Sequence, residues 1–162
     1  AGSVPPKIPA MKAKRVISAS SSRFAAQLFN ILTVVALTLS ITALLLGRLL
    51  ASHKIGFLPF VLSLPPVMIW LGASIFVYAS IAHHPNSRAA HYNKWAGYRF
   101  YGVMGSLMVI GPAIYGLLDG WQGLMLVLGL AVLIIVPWAL LDIYKAAREP
   151  WQDMTIEVAI NE

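Results

Sequence analysis

The stretch Phe24–Gly47, FAAQLFNILTVVALTLSITALLLG, contains no Asp, Glu, Lys, Arg or His. An α-helix needs about 20 apolar residues to cross the ~30 Å hydrocarbon core of a bilayer, and this run supplies them with a turn to spare. Backbone polar groups inside lipid find no water to bond, so a lone span must be a helix and not a strand. Three further runs share this character: Ile55–Ala82, Phe100–Leu118 and Trp121–Leu141. The expectation is an all-α integral membrane protein, a four-transmembrane-helix bundle. A basic arm (1–23) precedes the transmembrane domain (24–146), and a tail (147–162) follows it.

Composition leads to the same class. Of 162 residues, 59% are hydrophobic and 11% charged, with a mean hydropathy of +0.75. A soluble domain carries about 25% charged residues, so a water-soluble globular fold and a disordered chain are excluded. The absence of cysteine excludes disulfide scaffolds, thiolate metal sites, Fe–S clusters and cysteine nucleophiles. All six acids lie at or beyond Asp119, five of them between Asp142 and Glu162. Residues 1–118 therefore cannot host paired-carboxylate chemistry. Ser18 and Ser20 to Ser22 have no general base beside them and read as a solvated tail. No phosphate loop, dinucleotide fingerprint or internal repeat is present, and no enzyme is expected.

Lys and Arg outside the spans set the orientation. The arm, the 83–99 loop and the C-terminal tail together hold ten, whereas the two intervening loops hold two. The positive-inside rule then places both termini on the cytoplasmic side. A bacterial inner membrane is expected, with an organellar inner membrane as the alternative, because a basic, serine-rich, acid-free arm also describes a transit peptide. The pI of 9.8 fits an anionic lipid face and not nucleic acid in so apolar a chain.

In the third span Gly102, Gly105, Ser106, Ala113 and Gly116 share a face of about 100° at the 3.6-residue period. Small residues let backbones approach closely in lipid, so this face is expected to be a helix-packing seam. In the first span Gln27, Asn30, Thr38 and Thr42 share an arc of about 120° and read as interhelical hydrogen-bonding groups. Pro65-Pro66 should kink the second span. The third and fourth spans are expected to join through a tight hairpin at Asp119–Gly123.

The chemically dense region is His83–Arg99, with three of the four histidines. Asn86 or Ser87 is a plausible cap for a short helix lying on the membrane surface, with Arg88, His91, Tyr92, Trp95 and Arg99 on one face. The plain reading is an interfacial anchor of aromatic rings and cations against lipid headgroups. The sharper one is a haem b or quinone site using His83, His84, His91, Tyr92, Trp95 and Arg99. His53 falls on the opposite side, so a two-histidine haem would lack a ligand pair within the spans. A di-iron site is excluded, since four histidines with no nearby carboxylate cannot hold two irons. No resident metal is expected.

In the tail Met154, Ile156, Val158 and Ile160 alternate with Thr155, Glu157 and Ala159, the period of a strand. A lone strand needs a partner, and addition to the edge of another subunit's sheet is the expected use, with a frayed end as the alternative. Val4–Pro9 favours an extended polyproline-like arm. These features point to a non-catalytic accessory or assembly subunit of a larger integral-membrane complex, whose partners are other membrane subunits and anionic lipid. An electron-transfer subunit and a small oligomeric transporter are the alternatives. Spans without ionisable groups weigh against the transporter.

Overall fold

In the computed structural model of the chain, residues 12–54, 57–118 and 120–159 are described. The elements run β1 (Lys12–Ile17), α1 (Ala19–Leu49), α2 (Phe57–Leu62), α3 (Leu64–Ala82), α4 (Ser87–Leu117), α5 (Gly120–Arg148) and β2 (Met154–Ala159). Four of the helices are long and apolar enough to cross a membrane, which marks a multi-pass membrane protein. The Val4–Pro9 arm, Asp119 and Ile160 lie outside the described residues.

The helices end where caps and prolines put them, not where hydropathy falls. Ser18 accepts a hydrogen bond from the Ser21 N–H through its side chain (3.2 Å), so α1 starts at Ala19 and takes Arg23 into its second turn. At 31 residues it is about 46 Å long, well beyond the hydrocarbon thickness. The expected second span is broken in two. Pro65 and Pro66 occupy the first turn of α3, where missing N–H groups cost least, and α2 stops at Leu62. The kink is therefore a break at Ser63. Ser40 of α1 accepts the Val67 N–H at 3.2 Å, tying that first turn to the neighbouring helix.

The expected surface helix within residues 83–99 does not exist as a separate element. Asn86 caps Arg88 and Ala89 at 3.0 and 3.3 Å, and α4 then runs unbroken to Leu117. No proline falls between Pro85 and Pro112, so nothing stops the helix where polar sequence gives way to apolar. The α4–α5 turn is shorter than expected as well, since α5 begins at Gly120 and absorbs Gln122 and Gly123.

Helix α1 is the axis of the bundle, packed on α3, α4 and α5, while α4 also meets α3 and α5. Phe29 sits at the centre, with Trp70 (5.2 Å between ring centroids), Phe100 (5.9 Å) and Tyr101 (6.0 Å) around it edge to face or tilted. Lipid supplies little hydrophobic drive for helix association, so polar contacts matter more. Trp70 donates its indole N–H to Thr33 Oγ1 (2.9 Å), Ser74 and Tyr101 share a hydroxyl bond (2.9 Å), and Gln27 donates to the Ile143 carbonyl (2.9 Å). Of the expected polar face of α1, Gln27 and Asn30 do point inward, but Thr38 and Thr42 are exposed. Thr33 and Ser40 carry the interhelical bonding in their place.

β1 and β2 pair antiparallel, with Lys12 opposite Ala159 and Ile17 opposite Met154. Both tails thus emerge from the same end of the bundle. The tail strand finds a partner in its own chain, which corrects the alternative of a frayed end. The enclosing contacts explain the choice. Asp153 Oδ1 accepts the Ala19 N–H at 2.6 Å, supplying the carboxylate that α1 lacks in its own first turn. Trp151 donates to the Ala146 carbonyl at 2.7 Å and packs on Tyr92. Those anchors deliver residues 154–159 alongside β1.

Candidate functional site

Two surfaces carry most of the chemistry, a cleft at the strand-bearing end and the outer face of α4. The first four turns of α4 present Arg88, His91, Tyr92, Trp95 and Arg99 at helical spacing. That shared face was legible in the sequence, and it meets α5. Helix α5 returns Trp138, Asp142, Lys145 and Glu149 at the same level, closing a cleft of about 420 Å³.

Charges in the cleft are largely matched. Arg99 Nη2 donates to Asp142 Oδ2 at 2.7 Å, with side chains only 18% and 13% exposed. The guanidinium also lies 5.9 Å from the centre of the Trp138 ring. Tyr92 donates its hydroxyl to Glu149 Oε1 at 2.8 Å, and Arg88 Nη1 approaches Glu149 Oε2 at 3.4 Å. Arg99 Nη1 is buried without a hydrogen-bond partner. His91 stands exposed with its ring 6.2 Å from that of Trp95. The arrangement welds two helices and leaves His91, Lys145 and the rims of Trp95 and Trp138 facing outward. Among the described residues Lys145 makes no ion pair.

His83 and His84 do not join this group. His83 is the C-cap of α3, and the His84 Nδ1 accepts the Asn86 N–H at 3.1 Å within the turn that starts α4. The cleft therefore holds one imidazole, His91. These residues do not fit a haem with two axial histidines. Among the described residues no three His, Asp or Glu side chains are placed to hold a metal ion. The sequence reading missed Trp138, Asp142, Lys145 and Glu149. Their signal was present, because acids seven residues apart in a helix share a face that seeks a basic partner.

The small-residue face of α4 is open. Gly102, Gly105, Ser106, Ala113 and Gly116 are all exposed, and a Cβ placed on Gly102, Gly105 or Gly116 would meet nothing within 4 Å. The expected seam against a neighbour inside the bundle is therefore not made. Helix α4 buries Ala89, Asn93, Ala96, Gly97, Phe100 and Leu107 instead. Close approach occurs at Gly97, where the Tyr78 ring occupies the space a Cβ would need. Ser106 turns back on the Gly102 carbonyl at 2.8 Å, so this face has no unmet polar group.

Comparison with protein-family models, curated proteins and solved structures returns no match to this chain.

Proposed function

We propose that the chain is a non-catalytic accessory or assembly subunit of a larger integral-membrane complex. In this reading it sits in a bacterial inner membrane, with the β1–β2 ribbon and both termini in the cytoplasm. The observation that carries the reading is the open face of α4. Glycines in a lipid-facing helix lower helix propensity and add little contact with acyl chains, but they let a second helix come close. A bundle that has turned its smallest face outward, having used Gly97 and Ala96 for its own packing, supports docking of a partner helix there.

Native mass spectrometry of the protein released gently from its own membrane tests this. A heteromeric mass is expected, and Gly105→Leu should remove the partner while leaving the chain itself folded. Recovery of the chain free of any other polypeptide would overturn the proposal.

The cleft favours a second role compatible with the first. Trp95 and Trp138 at headgroup depth, with outward-facing Lys145 and His91, suit the phosphate of an anionic lipid. The corresponding test is lipid retention: Lys145→Ala should lower the anionic-lipid fraction that co-purifies, and unchanged retention would remove this role.

A further inference from the structure

Among the described residues the β1–β2 ribbon is a two-stranded sheet. It packs along its length on none of the helices, and among the described residues no other backbone bonds to it. Two strands alone are marginal in water, and three or more are the usual minimum for stability. Among the described residues both outer edges are open, but they are chemically unlike.

The β1 edge carries Lys12, Lys14 and Arg15 within six residues. Among the described residues Lys14 and Arg15 have no ion pair. Charged side chains, lysine above all, are how natural sheets block edge-to-edge association. The β2 edge has no such guard. Its single charge, Glu157, is already held by Lys12 Nζ at 3.0 Å, and the rest of the strand is Met154, Thr155, Ile156, Val158 and Ala159.

From this asymmetry we infer that β2 pairs antiparallel with β2 of a second copy, making a four-stranded sheet β1–β2–β2–β1. The sequence selects the register. A two-fold axis at Ile156 sets Ile156 against Ile156, Met154 against Val158 and Thr155 against Glu157, which gathers the apolar side chains on one face. An axis at Glu157 would oppose two carboxylates, and one at Thr155 would set Glu157 against Asp153, both unfavourable. Copies inserted the same way in a membrane are related by an axis along its normal. That is also the axis of an antiparallel strand pair when the sheet lies along the membrane surface. The guarded β1 strands become the new outer edges, so association stops at two.

The natural absence of cysteine makes the test direct. Single-cysteine full-length chains are oxidised in their own membranes and separated without reductant. Residues directly opposite in a sheet have Cβ atoms about 4.5–5.5 Å apart, close enough for a disulfide with slight adjustment. Ile156→Cys should pass mostly into a species of twice the 17.6 kDa chain mass. Glu157→Cys should cross-link far less, and co-expression of Thr155→Cys with Glu157→Cys should restore the dimer. Val16 and Thr155 are opposite within one chain, so the double variant Val16→Cys/Thr155→Cys should close internally and report that the ribbon forms.

A monomeric Ile156→Cys beside a closed internal pair overturns the inference. So do equal cross-linking at 156 and 157, a product of another mass, or failure of the internal pair to close. The inference does not rest on the docking face of α4, because loss of a heteromeric partner leaves these cross-links unchanged.

Discussion

Replacing Asp142 by Leu isolates the weld between α4 and α5. Asp142 and Arg99 meet at 2.7 Å with 13% and 18% of their side-chain surfaces exposed, so little water reaches either charge. Removing the carboxylate leaves a guanidinium whose Nη1 already lacks a partner, held only by its position over Trp138. Breaking a buried pair in this way costs about 3–5 kcal/mol. Residual exposure argues for the lower end, about 3 kcal/mol, or roughly a hundredfold in the folding equilibrium. The double variant Arg99→Met/Asp142→Leu removes both charges and fills the site with apolar atoms, and should cost within about 1 kcal/mol of nothing. The resulting coupling of roughly 2 kcal/mol or more is measurable by SDS titration in mixed micelles, followed by tryptophan fluorescence. The reasoning fails if Asp142→Leu costs under about 1 kcal/mol, or if the double variant costs the sum of the singles.

Other consequences follow from single contacts. Gly97→Ala places a methyl group in the Tyr78 ring, which is itself held against Phe29 and Tyr101, so it should cost about 1–3 kcal/mol. Tyr78→Leu in the same chain should recover part of that loss, and an unchanged melting temperature for Gly97→Ala would refute the contact. Ser40→Ala leaves the Val67 N–H without its cross-helix acceptor and should destabilise by about 1–2 kcal/mol, read in the same micelle titration. Asp153→Ala uncaps α1 from the far end of the chain and should cost about 1 kcal/mol. Amide hydrogen exchange at residues 19–22 should quicken while that at 33–40 stays the same; no local change would remove Asp153 from that role.

The path from residues to fold was open for some elements and closed for others. Four apolar runs without ionisable groups could only be helical, because lipid offers the backbone no other partner. Their ends were less legible. Hydropathy reports where lipid stops, whereas a helix stops at a cap or a proline, so α1 and α4 run on through polar sequence to Ser18 and Asn86. The face containing Arg88, His91, Tyr92, Trp95 and Arg99 was likewise local, being fixed by the 3.6-residue period alone. What it faced was not, since Asp142 and Glu149 arrive from a helix more than forty residues away.

Which side of α4 turns inward was beyond the sequence for a related reason. In a span that is apolar all round, no hydropathy difference marks the protein side from the lipid side. The choice falls to shape, with Phe100 and Leu107 filling the core and Gly97 admitting the Tyr78 ring. The period-two pattern of residues 154–160 fixed a strand without naming its partner. Strand pairing is a contact between distant segments, and only the capping of α1 by Asp153 and the seating of Trp151 beside Tyr92 bring β2 to β1. Periodicity and transfer energy are properties of neighbouring residues and can be read from the chain. Partner choice depends on steric fit and on charges brought together by folding, and exists only in three dimensions.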